Sequence, residues 1–227
     1  MIAAVAAAVA TSTFAPGASA APAAAPMSLF SCWTTPLSVV EKGEPTTNPD
    51  RQVCTDDQVA ASQAADTDGP VKVSATAVAG STTRTVARTF TTQAAGTEAA
   101  RATVTESAVA KASAGSAKLT VGRTVIDLGA ITSQTTISCT YGPSGARYSF
   151  SSKSSVGAVK INGKSVSMRN GPMDIKVNGG ILRLNHARTT AVGVTQHAVM
   201  LTANGTDVVI GESAVAVSKA PKNPCRP

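Results

Sequence analysis

The chain has 227 residues, of which 43% are hydrophobic but only 3% aromatic, and it carries a formal net charge of +7. That length suffices for one domain with a buried core, which the composition requires to be built from small aliphatic side chains. So few rings argue against aromatic platforms on which sugars or nucleic-acid bases stack.

Residues 1–20 carry no charge, run as an Ala/Val stretch over Ile2–Ala10 and end in Ala18-Ser19-Ala20. This predicts the apolar region and A-x-A site of an export signal, cleaved after Ala20. It lacks a basic start, so the natural start is expected to lie upstream or to have been trimmed. Residues 21–26 read as a spacer opening a Pro-rich, acidic segment over 21–70. Seven acids against two bases fall within its residues 41–68. Residues 71–227 are expected to form an antiparallel β domain. The expected location is secreted or extracellular, with no transmembrane segment in the mature chain.

Cys32, Cys54, Cys139 and Cys225 are an even set behind an export signal, which predicts two disulfides rather than a metal site. Three connectivities are open. Cys32–Cys54, pinning a Pro-rich loop, and Cys139–Cys225, tying down the C-terminal tail, are favoured. Trp33 is expected to pack on the first of these bonds.

Residues 71–140 are dominated by Ala, Val, Thr and Ser with short alternating runs such as Val71, Val73, Ala75 and Ala77. About five strands are predicted there, bounded by Gly80-Ser81, Ala95-Gly96, Gly115 and Gly129. Residues 97–111 have some helical character, but β-branched Thr103, Val104, Thr105 and Val109 favour strand. Tyr141, Tyr148 and Phe150 flank a turn at Gly142–Ala146 and are placed to form a small patch.

Four Asn-Gly pairs follow, at Asn162, Asn170, Asn178 and Asn204, the first three eight residues apart. Asn-Gly supplies the two positive-φ residues of a type I′ hairpin turn, so a meander is predicted. Its registers place Val159 opposite Val166, Val166 opposite Ile175, Met168 opposite Met173, Ile175 opposite Leu182, and Met173 opposite Leu184. One apolar face results, with Lys160, Asp174, Lys176 and Arg183 on the other. Pro172, lacking an N–H, is the misfit. The last turn sets Leu201 opposite Val208, Val199 opposite Ile210 and Val194 opposite Val215. The apolar parity changes near Gln196–His197 and Gly211–Ser213, which predicts a bend. The fold class expected is all-β, an antiparallel sandwich or roll built from hairpins.

Charge is segregated: nine Lys/Arg against ten Asp/Glu up to Thr140, then eleven against three. Lys160, Lys176 and Arg183 are therefore candidates for contact with an anionic surface such as cell-wall polymers. Nucleic acid is not expected as a partner, because export separates the chain from it.

Little points to chemistry. A turn at Arg188–Ala191 would put His186 and His197 about 13 Å apart, too far to share a metal. His197 falls opposite Glu212, a candidate polar site in which a carboxylate orients an imidazole, with no nucleophile beside it. Serine-elbow, Ser-x-x-Lys, nucleotide and zinc patterns are missing, and no cofactor is expected. Asp56-Asp57 and Asp66-x-Asp68 read as solvated loop acids rather than calcium ligands.

Several stretches carry a family likeness. They are the Ala/Thr/Val-rich early strands, Thr132-Ser133-Gln134 leading to Cys139, Val156-Gly157-Ala158-Val159-Lys160-Ile161-Asn162-Gly163, and Asp207-Val208-Val209-Ile210-Gly211. Over about Val71–Ser218 the chain resembles the choice-of-anchor P proteins, exported actinobacterial surface proteins. That resemblance implies a location rather than a reaction. The function expected is a non-catalytic cell-surface or extracellular structural or adhesion-type protein. The alternative is a secreted soluble binding protein such as a protease inhibitor, whose partner is another extracellular protein met through the Cys32–Cys54 loop.

Overall fold

The computed structural model describes residues 29–39, 46–49, 51, 53–66, 69–91, 101–142 and 145–217, and every regular element among them is a β-strand. In chain order they are β1 (Phe30–Val39), β2 (Asp57–Asp66), β3 (Val71–Thr91), β4 (Arg101–Ala114), β5 (Ser116–Val121), β6 (Thr124–Leu128) and β7 (Ile131–Gly142). They continue as β8 (Gly145–Val156), β9 (Val159–Ile161), β10 (Lys164–Ser165), β11 (Met173–Val177), β12 (Gly180–Thr190), β13 (Gly193–Ala203) and β14 (Thr206–Val217). Five strands form one sheet, β1-β14-β13-β12-β11, and nine form the other, β10-β9-β6-β5-β3-β4-β7-β8 with β2 alongside β3. All pairings are antiparallel, and one of the two sheets curls into half a barrel beside the other. The expected antiparallel β-sandwich is what the chain adopts.

Residues 29–66, read as part of an acidic segment ahead of the β domain, belong to the sandwich itself. Phe30 pairs with Val217 and Val39 with Val208, so β1 closes one edge of the five-stranded sheet. Asp57 through Asp66 pair along β3. Gly80 does not interrupt β3, which runs unbroken from Val71 to Thr91. A side chain there would strike the Thr34 hydroxyl. The glycine therefore serves a close approach of β1 rather than a turn.

Each sheet is creased along one line. In the larger sheet, β4 and β5 keep a single register against β3 (Ser113 opposite Ala79, Ser116 opposite Thr76) yet part at Gly115. The next two strand runs part at Gly129–Ala130 and Gly157–Ala158, and Ala77 lies at φ 49°. At Gly129 a Cβ would come within 2.9 Å of the Ala158 nitrogen. In the smaller sheet the ladders skip Pro36, Gly211, Ala198 and Asn185, which fall on one line across four strands. Asn185 at φ 58° and Gly211 at φ 71° turn the backbone there, and Pro36 has no N–H to give. That line is where the predicted parity change occurs.

The interior follows from these creases. A large aliphatic cluster containing Leu37, Val71, Leu119, Ile126, Ile131, Leu182, Leu184, Leu201 and Ile210 fills one end. A small cluster of Phe30, Cys32, Cys54, Ala108, Ala110, Ile137, Cys139, Val194 and Val215 fills the other. Between them, strand by strand, lie buried polar residues: Thr34, Thr82, Ser133, Thr135, Gln196 and Ser213.

The meander forms only in part. Met173 faces Leu184 and Ile175 faces Leu182, as expected, and the Val166 amide bonds to the Val159 carbonyl. The Asn162 and Asn204 pairs have both residues at positive φ, whereas at Asn178 and Asn170 only the glycine does. Residues 166–172 form no hairpin, so Val166–Ile175 and Met168–Met173 are not strand pairs. The chain leaves β10 in one sheet to enter β11 in the other, and a tight turn would have kept both in one sheet. Val166, Met168, Met173 and Ile175 nonetheless all pack on the large cluster.

Candidate functional site

Polar and aromatic side chains line up across the outside of the five-stranded sheet. Trp33 on β1 donates its indole N–H to Glu212 Oε1 at 2.9 Å, and Arg51 lies 4.7 Å above the indole ring. Strand alternation explains the tryptophan's placement: Cys32 points inward, so its neighbour must point out. Trp33 therefore does not pack on the disulfide as expected. Glu212 Oε2 lies 3.0 Å from His197 Nε2, the polar pair anticipated from sequence.

The separation expected between the histidines is overturned. Thr190 pairs with Gly193, so the turn is the two residues Ala191–Val192, and His186 sits directly opposite His197. Thr190 closes that turn, its hydroxyl accepting from the Val192 amide at 3.3 Å and donating to the Gly193 carbonyl at 3.2 Å. A threonine here does what Asn-Gly does elsewhere. His186 Nε2 is 2.8 Å from Asp174 Oδ1, so each imidazole is backed by its own carboxylate. Among the described residues, no three His, Cys, Asp or Glu side chains converge to hold a metal ion.

Burial pushes the Glu212 carboxyl up, but hydrogen bonds from His197 and Trp33 and the charges of His197 and Arg51 outweigh it. The net effect holds Glu212 below its ordinary value of 4.5. This arrangement can fix the orientation of an imidazole. Among the described residues no hydroxyl or thiol hydrogen-bonds to either ring.

The three cations expected to share a face do not. Lys160 lies on β9 of the nine-stranded sheet, opposite Asp127, while Lys176 and Arg183 lie on β11 and β12 of the other. Arg183 Nε is 3.9 Å from Asp174. The failed hairpin at 166–172 is the cause, since it moves Lys160 to a different sheet.

Cys32 and Cys54 are disulfide-bonded. Their loop is fastened by the buried Asn48, whose amide nitrogen donates to Thr82 Oγ1 at 2.6 Å and whose carbonyl oxygen accepts from the Thr55 hydroxyl. Thr34 and Thr47 share a 2.8 Å hydroxyl contact beside it. Cys139 is also disulfide-bonded; its expected partner Cys225 lies outside the described residues. Asp57 accepts from the Asn48 amide and Asp56 from the Arg84 amide, so both cap backbone groups. Asp66 is in β2, and Asp68 lies outside the described residues. Tyr148 and Phe150 do meet, edge to face, at 5.3 Å.

A crease of about 880 Å³ opens on the solvent side of the nine-stranded sheet, where Lys111, Gln134 and Lys153 project among serine, threonine and alanine. Sequence reading did not single these out. Alternation alone puts each on an outer face, but only the registers of β4, β7 and β8 bring them into one row.

No family model matches the chain, and neither a curated protein nor a solved structure does.

Proposed function

We propose that the chain works outside the cell as a non-catalytic surface or matrix component. The observation that carries this reading is the Cys32–Cys54 bond, closed inside the smaller apolar cluster. Such bonds persist in oxidising compartments. The uncharged run ending Ala18-Ser19-Ala20 and the resemblance to choice-of-anchor P proteins support the same location. The non-catalytic part follows the same resemblance, which implies a location rather than a reaction.

The test is fractionation of cells expressing the chain, combined with thiol labelling before and after reduction. Recovery in the exported fraction, with Cys32 and Cys54 labelled only after reductant, is expected. A cytosolic chain whose Cys32 and Cys54 react without reductant would end the reading.

A further inference from the structure

The crease on the nine-stranded sheet is built by one cross-strand row. Gln58 faces Ser81, Ser81 faces Lys111, Lys111 faces Gln134 and Gln134 faces Lys153. At one strand spacing per step the row is about 19 Å long, and its lysines stand about 10 Å apart across Gln134. Hydroxyls flank it on both sides. Ser113, Thr132 and Ser155 form the next row one way, with Thr132 and Ser155 hydrogen-bonded at 2.8 Å. Thr83, Thr136 and Ser151 belong to the next row the other way.

Electrostatics defines what this surface lacks. Among the described residues no acidic side chain lines the crease, and residues 131–156, which supply two of its strands, contain no Asp or Glu. Among the described residues neither Lys111 nor Lys153 takes part in an ion pair. Two like charges about a Debye length apart repel weakly, and an anion bridging them removes that repulsion while gaining both attractions.

We infer that this crease binds a linear acidic polysaccharide, with Lys111 and Lys153, about 10 Å apart, each meeting a carboxylate on a different sugar of the chain. Gln134 and the flanking serines and threonines exchange hydrogen bonds with the sugar hydroxyls between them. Several features select this occupant. Among the described residues no aromatic side chain lines the crease, so neither a neutral glycan held by ring stacking nor single-stranded nucleic acid finds its usual platform there. The cations are lysines, which meet an anion as point charges without fixing its geometry, and so suit repeated contacts along a polymer. The row's length and the crease's openness suit a chain passing across the strands rather than a small enclosed ligand. The inference rests on the extracellular reading only for where such a polymer is met.

The test is binding of the full chain to polygalacturonate, with a neutral dextran and inorganic polyphosphate as the other arms. Polygalacturonate is expected to bind, more weakly as salt rises from about 50 to 300 mM. The double variant Lys111→Gln/Lys153→Gln is expected to weaken binding about tenfold with unchanged thermal unfolding. The double variant Lys72→Gln/Lys118→Gln, equal in charge but off the crease, is expected to bind as the unaltered chain does. Equal binding of dextran, tighter binding of polyphosphate, or wild-type affinity in the crease variant would each overturn the assignment. Because binding is read on purified protein, an exported chain that fails to bind defeats this inference alone. A chain that binds but stays in the cytosol defeats only the extracellular reading.

Discussion

Glu212 shows how one carboxylate can organise a surface. It accepts from the indole of Trp33 and from His197, tying β1, β13 and β14 together on their outer side. Its folded pKa lies below its unfolded value, so its contribution is complete above about 4.5 and is lost as pH falls through the lower folded value. Glu212→Gln is expected to cost about 1 kcal/mol at pH 6. That deficit should shrink steadily below pH 4.5, as denaturant midpoints recorded between pH 6 and 3 would show. A deficit that stays constant across this range would mean the charge on Glu212 is irrelevant to stability. Half of this arrangement was legible beforehand. The Asn204-Gly205 turn places His197 opposite Glu212 by counting alone, whereas Trp33 comes from a strand about 180 residues away that no local signal pairs with β14.

At the level of strands, the creases decide the shape. Long antiparallel ribbons twist, and a sheet closes over its own core only if its strands bend together. Here small residues stand at the same level on neighbouring strands, and the bend passes through them. Gly129→Ala is expected to destabilise by about 1–3 kcal/mol, because its new methyl meets the Ala158 backbone, which has nowhere to go. Gly157→Ala, whose Cβ would find nothing closer than 3.4 Å, is expected to cost clearly less. Equal losses in a denaturation series would mean the crease tolerates a side chain anywhere along it. Gly115 and Gly129 were visible as strand boundaries in the sequence. Their alignment into one line was not, since it depends on the β4–β5 and β6–β7 runs sharing a register over their whole length.

For the molecule as a whole, the divided interior makes the disulfide consequential. The small cluster around Phe30, Ile137 and Val215 is separated from the main core by a buried polar layer. Among the described residues, Ser133, Thr135 and Ser213 leave their hydroxyls without a partner there. An unsatisfied buried hydroxyl costs free energy, so this end of the sandwich has less margin. The Cys32–Cys54 link, with a sequence separation of 22, restricts the unfolded chain by about 3 kcal/mol. Cys32→Ser/Cys54→Ser is expected to lose about that much in chemical denaturation and to expose the β1 end first in hydrogen exchange. A loss confined to a few tenths would show that Asn48 and Thr47 hold the loop unaided.

What the amino-acid order determined alone is the local layer of this protein. Alternation gave strands, two Asn-Gly pairs gave full type I′ turns, and the register of the Asn178 and Asn204 hairpins followed by counting. These succeed because a two-residue turn leaves the chain no choice of partner. Only the folded molecule decided which sheet each ribbon joined. Residues 166–172 cross between layers where the Asn170 hairpin was expected, separating Lys160 from Lys176 and Arg183. The Ala191–Val192 turn brought His186 against His197 where a longer turn had kept them apart. The crease of Lys111, Gln134 and Lys153 exists only through pairings set by the shared core. Partner choice over long sequence separations is governed by which apolar faces can be buried together, and that is a property of the whole chain.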